Sequence, residues 1–263
     1  MRIFALYFSG TGNTKYAVKQ FLSHFEGSEM HSIEERMDFA VRSDGFDTIL
    51  VAHPIYGSDM PLPMRDFLRE HKAMFSGKDL ITLATQYLFS GDGGALAYRM
   101  VRREARRHMA SLHINMPSNV NFPPLIRIQN GQAMKGKLAK ANRKVDECAG
   151  RIQNGGRIRN GKGPLCFLLG YFMQRLWYRL FVFGRYQHGI RIDQNRCIGC
   201  GLCAGLCPVE NLEMTKKAPV PQDRCVLCYR CVNRCPKKAI TLFSKADSVV
   251  QYEGIECHPT ESV

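Results

Sequence analysis

Short apolar runs bounded by turn residues recur through the first half of the chain, at residues 3–8, 48–53, 80–85 and 112–116. They are apolar on both faces, as strands of a parallel sheet covered by helices on each side must be. Between them, apolar residues recur with a helical period at about 15–25, 64–72, 95–109 and 133–152. A weaker strand near 30–33 completes a five-stranded, doubly wound α/β fold. Ligands in such folds bind beyond the carboxyl ends of the strands, so those ends are where chemistry is sought.

The first strand end carries Ser9, Gly10, Thr11, Gly12, Asn13 and Thr14, directly before a helix. Glycines there permit an anion nest, the helix start offers free amides, and three hydroxyls can donate to phosphate oxygens. The segment is not a Walker loop, because no Gly-Lys-Ser/Thr follows, and it fails as a dinucleotide fingerprint because Lys15 stands at the third glycine position. An ordinary capped turn is the plainer alternative. Two further strand ends are polar, glycine-bearing and aromatic. One is Pro54-Ile55-Tyr56-Gly57-Ser58-Asp59, and the other runs from Thr85, Gln86 and Tyr87 to Gly91, Asp92 and Gly93. Such loops offer a flat ring an apolar face and backbone groups at its edge.

After this α/β region a glycine-rich break at 157–164 leads into an apolar, aromatic helix at 165–183, interrupted by Gln174, Arg175 and Arg179. Those charges argue against a transmembrane segment. Two readings stand: the helix packs the flanking regions together, or it lies in a membrane interface with Arg175, Arg179 and Arg185 toward lipid headgroups. A stiff connection between the flanking domains favours packing.

Beyond it come two matching runs, Cys197, Cys200, Cys203 and Cys207, then Cys225, Cys228, Cys231 and Cys235, each followed by proline. Three thiolates at this spacing converge on one iron-sulfur cube, while the displaced fourth reaches the other. The expected ligand sets are therefore crossed: Cys197, Cys200, Cys203 and Cys235 for one 4Fe-4S cluster, Cys225, Cys228, Cys231 and Cys207 for the second. Gly199 and Gly201 let the backbone turn closely around the sulfurs. Zinc in two four-cysteine sites is the alternative.

The cysteine runs resemble the bacterial two-cluster ferredoxins over about 190–243. The hydroxyl-rich first loop resembles the phosphate loop of flavodoxins, which use the other two loops to sandwich the isoalloxazine of FMN. Pro54 to Ser58, Thr85 to Gly93 and Met116-Pro117-Ser118-Asn119, followed by the double cysteine run, look like the flavodoxin and ferredoxin fusion proteins of anaerobic bacteria. The resemblance implies FMN, two 4Fe-4S clusters and electron transfer, with Tyr56 and Tyr87 as candidates for the ring faces. It divides the chain into a flavodoxin-like domain at 1–155, a linker at 156–189, a ferredoxin-like domain at 190–245 and a tail at 246–263.

Charge adds one departure. The 263-residue chain carries a formal charge of +14, whereas many flavodoxins are acidic around the flavin. Residues 99–191 hold 19 Lys and Arg against Glu104, Asp146 and Glu147. Such a segment suits an acidic redox partner or an anionic membrane, or is simply a solvated face; no recognition motif points to nucleic acid. Cys148, Cys166 and Cys257 are left over, a usage that fits a reducing compartment. With no cleavable leader visible, the cytoplasm is the expectation. The expected role is an electron carrier between FMN and the clusters. The rival is an FMN-dependent reductase acting on a small substrate such as a quinone, with His53 and Asp59 as proton donors.

Overall fold

The computed structural model describes residues 1–121, 126–161, 163–184, 187–242 and 250–255. Lys162, Arg185, Cys257 and all of the tail but 250–255 lie outside the described residues. Two compact units emerge. The first comprises Met1–Ser9, Asn13–Met116 and Gly136–Trp177, the second Gly10–Gly12, Pro117–Lys135 and Tyr178–Val263.

The first unit is built on β1 (Ile3–Tyr7), β2 (Glu29–Ser32), β3 (Thr48–Pro54), β4 (Asp79–Gln86), β5 (Arg107–Asn115) and β6 (Ile158–Arg159). All pair in parallel, in the order β2-β1-β3-β4-β5-β6. The first five follow the 2-1-3-4-5 order of flavodoxin-like folds. β1, β3 and β4 are apolar along nearly their whole length because both faces are covered; Phe4, Leu50 and Ile81 are fully buried. Helices α1 (Asn13–Leu22), α3 (Leu62–Glu70), α4 (Leu96–Val101) and α5 (Gly131–Gln153) follow strands or loops, with a short α2 (Phe39–Arg42) capped by Asp38. Asp38 accepts from Ala40 N and Val41 N, satisfying two orphan amides of the first turn.

Three expectations need correction. The sheet has a sixth strand, β6, too short at two residues to leave a periodic signal. The helix expected over 95–109 stops at Val101, and residues 107–111 belong to β5. The reason is a register shift: Leu80 faces His108 while Ile81 faces Ala110, so the extra residue Met109 disguises the strand's alternation. Arg106 and Arg107 then donate to the buried Asp79 at 2.8 and 2.9 Å, fixing the strand's start. Burial pushes the Asp79 carboxyl up, but the two guanidiniums outweigh it and hold it below its usual range.

The third correction concerns the linker helix. It begins at Pro164, an N1 proline after Gly163, as α6 (Pro164–Leu168), and winds on as a π-helix through Leu169–Arg175. It continues through Tyr178–Phe183, where Tyr178 and Phe183 pack against the core of the second unit, but its first half does not form the expected packed face: Leu168 is 49%, Phe172 57% and Met173 70% exposed, while Gly170 and Arg175 are buried. No helix among the described residues is long and apolar enough to cross a membrane.

In the second unit, β7 (Arg191–Ile192) pairs antiparallel with β10 (Ile240–Thr241), and β8 (Leu212–Met214) with β9 (Pro219–Pro221). Short helices α7 (Leu202–Gly205) and α8 (Arg230–Arg234) follow Gly201 and Tyr229, their N-caps. The two cysteine runs repeat at 28 residues, and the backbone repeats with them. Gly199 and Leu227, Gly201 and Tyr229, and Glu210 and Lys238 all adopt positive φ, between 50° and 73°. The first run meets this demand with glycines and the second with a leucine and a tyrosine, so the turn around the sulfurs is imposed by the site and not by local preference. The small core contains Ile190, Leu212, Leu227, Val232, Ile240 and Leu242 together with Cys203 and Cys225.

Candidate cofactor sites

In the second unit the sulfurs line two cavities. Cys197, Cys200, Cys203 and Cys235 surround one with Ile198, Pro219 and Ile240. Cys207, Cys225, Cys228 and Cys231 surround the other with Ile190, Leu212 and Val232. Each set takes three cysteines from one run and the displaced cysteine from the other, because α7 and α8 pack together and carry each run's end across to its counterpart. Among the described residues, no three His, Cys, Asp or Glu side chains converge on a single metal ion.

The donor chemistry fits a cluster. Burial pushes the Cys225 thiol up to about 12 and raises Cys203 and Cys231, with neighbouring sulfurs adding to the effect. Such thiols give up their protons to a metal and not to water. Backbone amides also reach the sulfurs in matching places: Asn211 N donates to Cys207 Sγ at 3.1 Å and Ala239 N to Cys235 Sγ at 3.3 Å. Hydrogen bonds of this kind tune cluster potential.

Gly10–Gly12 belong to this same unit. Asn119 Nδ2 donates to Thr11 Oγ1 at 2.6 Å, and Asn233 Nδ2 donates to the Asn119 carbonyl at 3.1 Å. Arg230, the residue before Cys231, donates from Nε to the Gly10 carbonyl at 3.3 Å. Gly12 has φ 97°, a conformation that reserves the position for glycine. Arg230 and Asn233 carried no signal in the sequence that tied them to the glycine loop; only the fold brings them there.

In the first unit, the carboxyl ends of β3 and β4 come together. Ile55 N donates to the Thr85 carbonyl at 2.9 Å, and the Ile55 side chain fills the space that a Cβ on Gly93 would need. Thr14 is buried, its hydroxyl 2.8 Å from that of Thr85. Thr14 therefore ties α1 to β4, while Thr11 sits on the glycine loop. Ser9 Oγ accepts from Lys15 N at 3.4 Å, and Asn13 opens α1.

Pro54 ends β3, and Tyr56 to Asp59 form a tight turn closed by reciprocal backbone bonds of 3.0 Å, with Gly57 and Ser58 both left-handed. Tyr56 is half-buried at this turn. Tyr87, also half-buried, has the Lys137 ammonium 5.0 Å from its ring centroid, so one of its faces is taken. Gln86 Nε2 donates to the Leu88 carbonyl and to Asn115 Oδ1, leaving Gln86 Oε1 buried with no partner. An orphaned acceptor at a strand end is what a ring N–H satisfies, and in this respect the loops fit a flavin.

The linker helix contributes a residue whose role the sequence reading did not foresee. Arg175 donates from Nε and Nη2 to the Ser58 carbonyl at 2.9 and 2.7 Å, and from Nη2 to Asp92 Oδ1 at 2.5 Å. Asp92 also pairs with Arg99, and Ser58 Oγ donates to Gln174 Oε1. One guanidinium thus clamps the two loops to each other. Gly91 and Gly170 meet backbone to backbone, so a Cβ on either would overlap the other chain segment. Arg175 does not point to a lipid headgroup, which corrects that part of the membrane reading.

Neither candidate proton donor suits the part. His53 is fully buried, its Nδ1 donating to the Pro54 carbonyl at 3.0 Å while Nε2 has no partner, and burial pulls it down to about 4. Asp59 is paired with Arg65. His113, held by Ser90 Oγ at 3.1 Å, is likewise pulled down to about 4 by burial and the nearby Lys144.

A 4Fe-4S dicluster domain matches residues 196–239. Among solved structures, an archaeal flavodoxin is 16% identical with TM-score 0.42, covering 58% of this chain and 99% of its own. A Fusobacterium nucleatum flavodoxin bound to flavin mononucleotide is 13% identical with TM-score 0.41, covering 59% and 98%. A two-electron-reduced Megasphaera elsdenii flavodoxin is 17% identical with TM-score 0.41, covering 57% and 98%. At these scores the fold assignment rests on the strand order. No curated protein matches the chain.

Proposed function

We propose that this chain, a flavodoxin-like fold joined to a 4Fe-4S dicluster domain, is an electron-transfer iron-sulfur flavoprotein that passes electrons between FMN and two clusters. The observation that carries the reading is the sharing of one compact unit by the glycine loop Gly10–Gly12 and the eight cysteines, with Arg230 reaching from one to the other. When bound, FMN supplies two-electron chemistry and each cluster one-electron chemistry. The protein's part is to hold them.

Thr11, the amides of Gly10–Gly12 and Asn13 would take the phosphate. Pro54, Ile55, Tyr56, Gly57, Thr85, Gln86, Tyr87, Gly91, Asp92 and Gly93 would meet the ring. The crossed cysteine sets would hold the clusters, each bonded to the repeating amides at Cys207 and Cys235. Sulfurs spread around cavities favour cages over zinc, whose four sulfurs would crowd to roughly 3.8 Å from one another at about 2.3 Å from the metal. A neutral, buried His53 leaves the reductase reading without its expected proton donor. We assign the basic segment to contact with an acidic redox protein or an anionic surface, and the chain to the cytoplasm.

The test is anaerobic stopped-flow reduction of protein with quantified iron, sulfide and flavin. Flavin reduction followed by cluster bleaching at a rate independent of protein concentration supports the reading. A rate proportional to concentration, or protein that takes up no flavin, overturns it.

A further inference from the structure

The linker helix is amphipathic in the wrong sense for a helix bathed in water. Its inward side carries Gly170, Gln174 and Arg175, with Arg175 buried on Asp92 and Ser58. Its outward side is apolar: Leu165, Phe167, Leu168, Phe172, Met173, Leu176 and Trp177 are each between 36% and 70% exposed. The loop it clamps adds Leu88 and Phe89, at 64% and 49%. Scattered exposed apolar residues are ordinary, but a contiguous helical face of this size marks a surface that is covered in use.

Charge decides what covers it. Arg157 and Arg159 precede the helix in the chain and Arg179 lies in its later part, all exposed. Arg99 stands over the Phe167 ring at 5.4 Å. The whole stretch 99–191 holds 19 cationic side chains against three carboxylates. Apolar residues framed by arginines are the pattern of a helix lying in an anionic lipid interface, with tryptophan and tyrosine at headgroup depth. A second copy of the chain would bring like charges together around the same face and does not fit. Helical backbone runs from Pro164 through Phe183, yet Gln174, Arg175 and Arg179 interrupt its apolar sequence, and no helix among the described residues is long and apolar enough to cross a bilayer, so the exposed face at 164–177 can lie along one.

We infer that residues 164–177, with Leu88 and Phe89, dock this protein on the surface of an anionic membrane. The polar clamp at Arg175 turns the helix so that its apolar face looks outward, and it ties that face to the loops at the ends of β3 and β4. Docking therefore brings those loops to the lipid.

Trp177 is the only tryptophan in the chain, so its emission reports this face alone. The cofactor-loaded protein is mixed with phosphatidylcholine vesicles, or with vesicles of equal parts phosphatidylcholine and phosphatidylglycerol. Expected with the anionic vesicles are cosedimentation, a blue shift of Trp177 and quenching by brominated lipid. Neutral vesicles should bind about tenfold more weakly, and high salt should weaken the anionic case. F172E/M173E alters only exposed side chains; it should keep its iron and flavin and lose vesicle binding by tenfold or more. Unchanged Trp177 emission with anionic vesicles overturns the proposal. So does a concentration-dependent dimer, or capture by polyglutamate, that F172E/M173E abolishes while vesicles have no effect.

Discussion

Arg175 and Asp92 form an ion pair in which both side chains are almost wholly buried, at 4% and 0% exposure, with 2.5 Å between Nη2 and Oδ1. The same guanidinium holds the Ser58 carbonyl, so one side chain from the linker fixes two loops that the sequence alone would leave independent. Removing Arg175 leaves the Asp92 carboxylate with Arg99 and takes the charged donor from the buried Ser58 carbonyl, at about 1–3 kcal/mol. Arg175→Met should therefore lower the unfolding free energy of the first unit by that amount in urea titrations followed by circular dichroism. Arg175→Lys, which keeps the charge and loses the fork, should fall between. A loss below about 1 kcal/mol for Arg175→Met would show the clamp to be incidental.

Thr11 and Thr14 should separate. Thr11→Val removes a hydroxyl from the glycine loop and should weaken FMN by about tenfold or more, since bonds to a charged group are worth about 1.5–3 kcal/mol. It should leave the already weak binding of riboflavin unchanged. Thr14→Val leaves Thr85 without its buried partner and should cost about 1–3 kcal/mol of stability instead. Fluorescence titration with both flavins, beside urea unfolding, checks the pair; an FMN-specific loss in Thr14→Val would reverse the assignment.

Ligand crossing is testable at Cys207. Cys207→Ser should damage the cluster of Cys225, Cys228 and Cys231 and spare the one held by Cys197, Cys200 and Cys203. Paramagnetic spectra of the reduced protein distinguish the two, and loss of the sequence-neighbour cluster alone would sink the crossed assignment.

Acid should weaken the first unit before its carboxylates titrate. His53 and His113 are held near 4 in the fold by burial, against about 6.5 when exposed. The folded state favours the neutral rings, so their contribution is complete above pH 6.5 and is lost as pH falls through the window to 4. Each contributes on the order of 3 kcal/mol. Urea midpoints measured across that window should decline, and His53→Gln or His113→Gln should flatten the decline. A pH-independent midpoint between 6.5 and 4 would show that these rings titrate normally.

Much of this was legible in the chain. β1, β3 and β4 are buried on both faces, so each is a continuous apolar run whatever its neighbours, and its turn residues mark where a ligand can reach. The cysteine spacing constrains sulfurs only a few residues apart, which is local geometry, and so the two runs could be read directly. β5 was misread because one bulged residue, Met109, breaks the alternation on which strand recognition depends. The linker was misread for a related reason. Its composition says that an apolar helix exists but not which way it faces, and the facing is decided by Arg175, whose partners Ser58 and Asp92 lie 117 and 83 residues away. A buried charge must find its counter-charge, and where that counter-charge stands is a property of the folded sheet. Tertiary structure alone therefore turned the helix inside out.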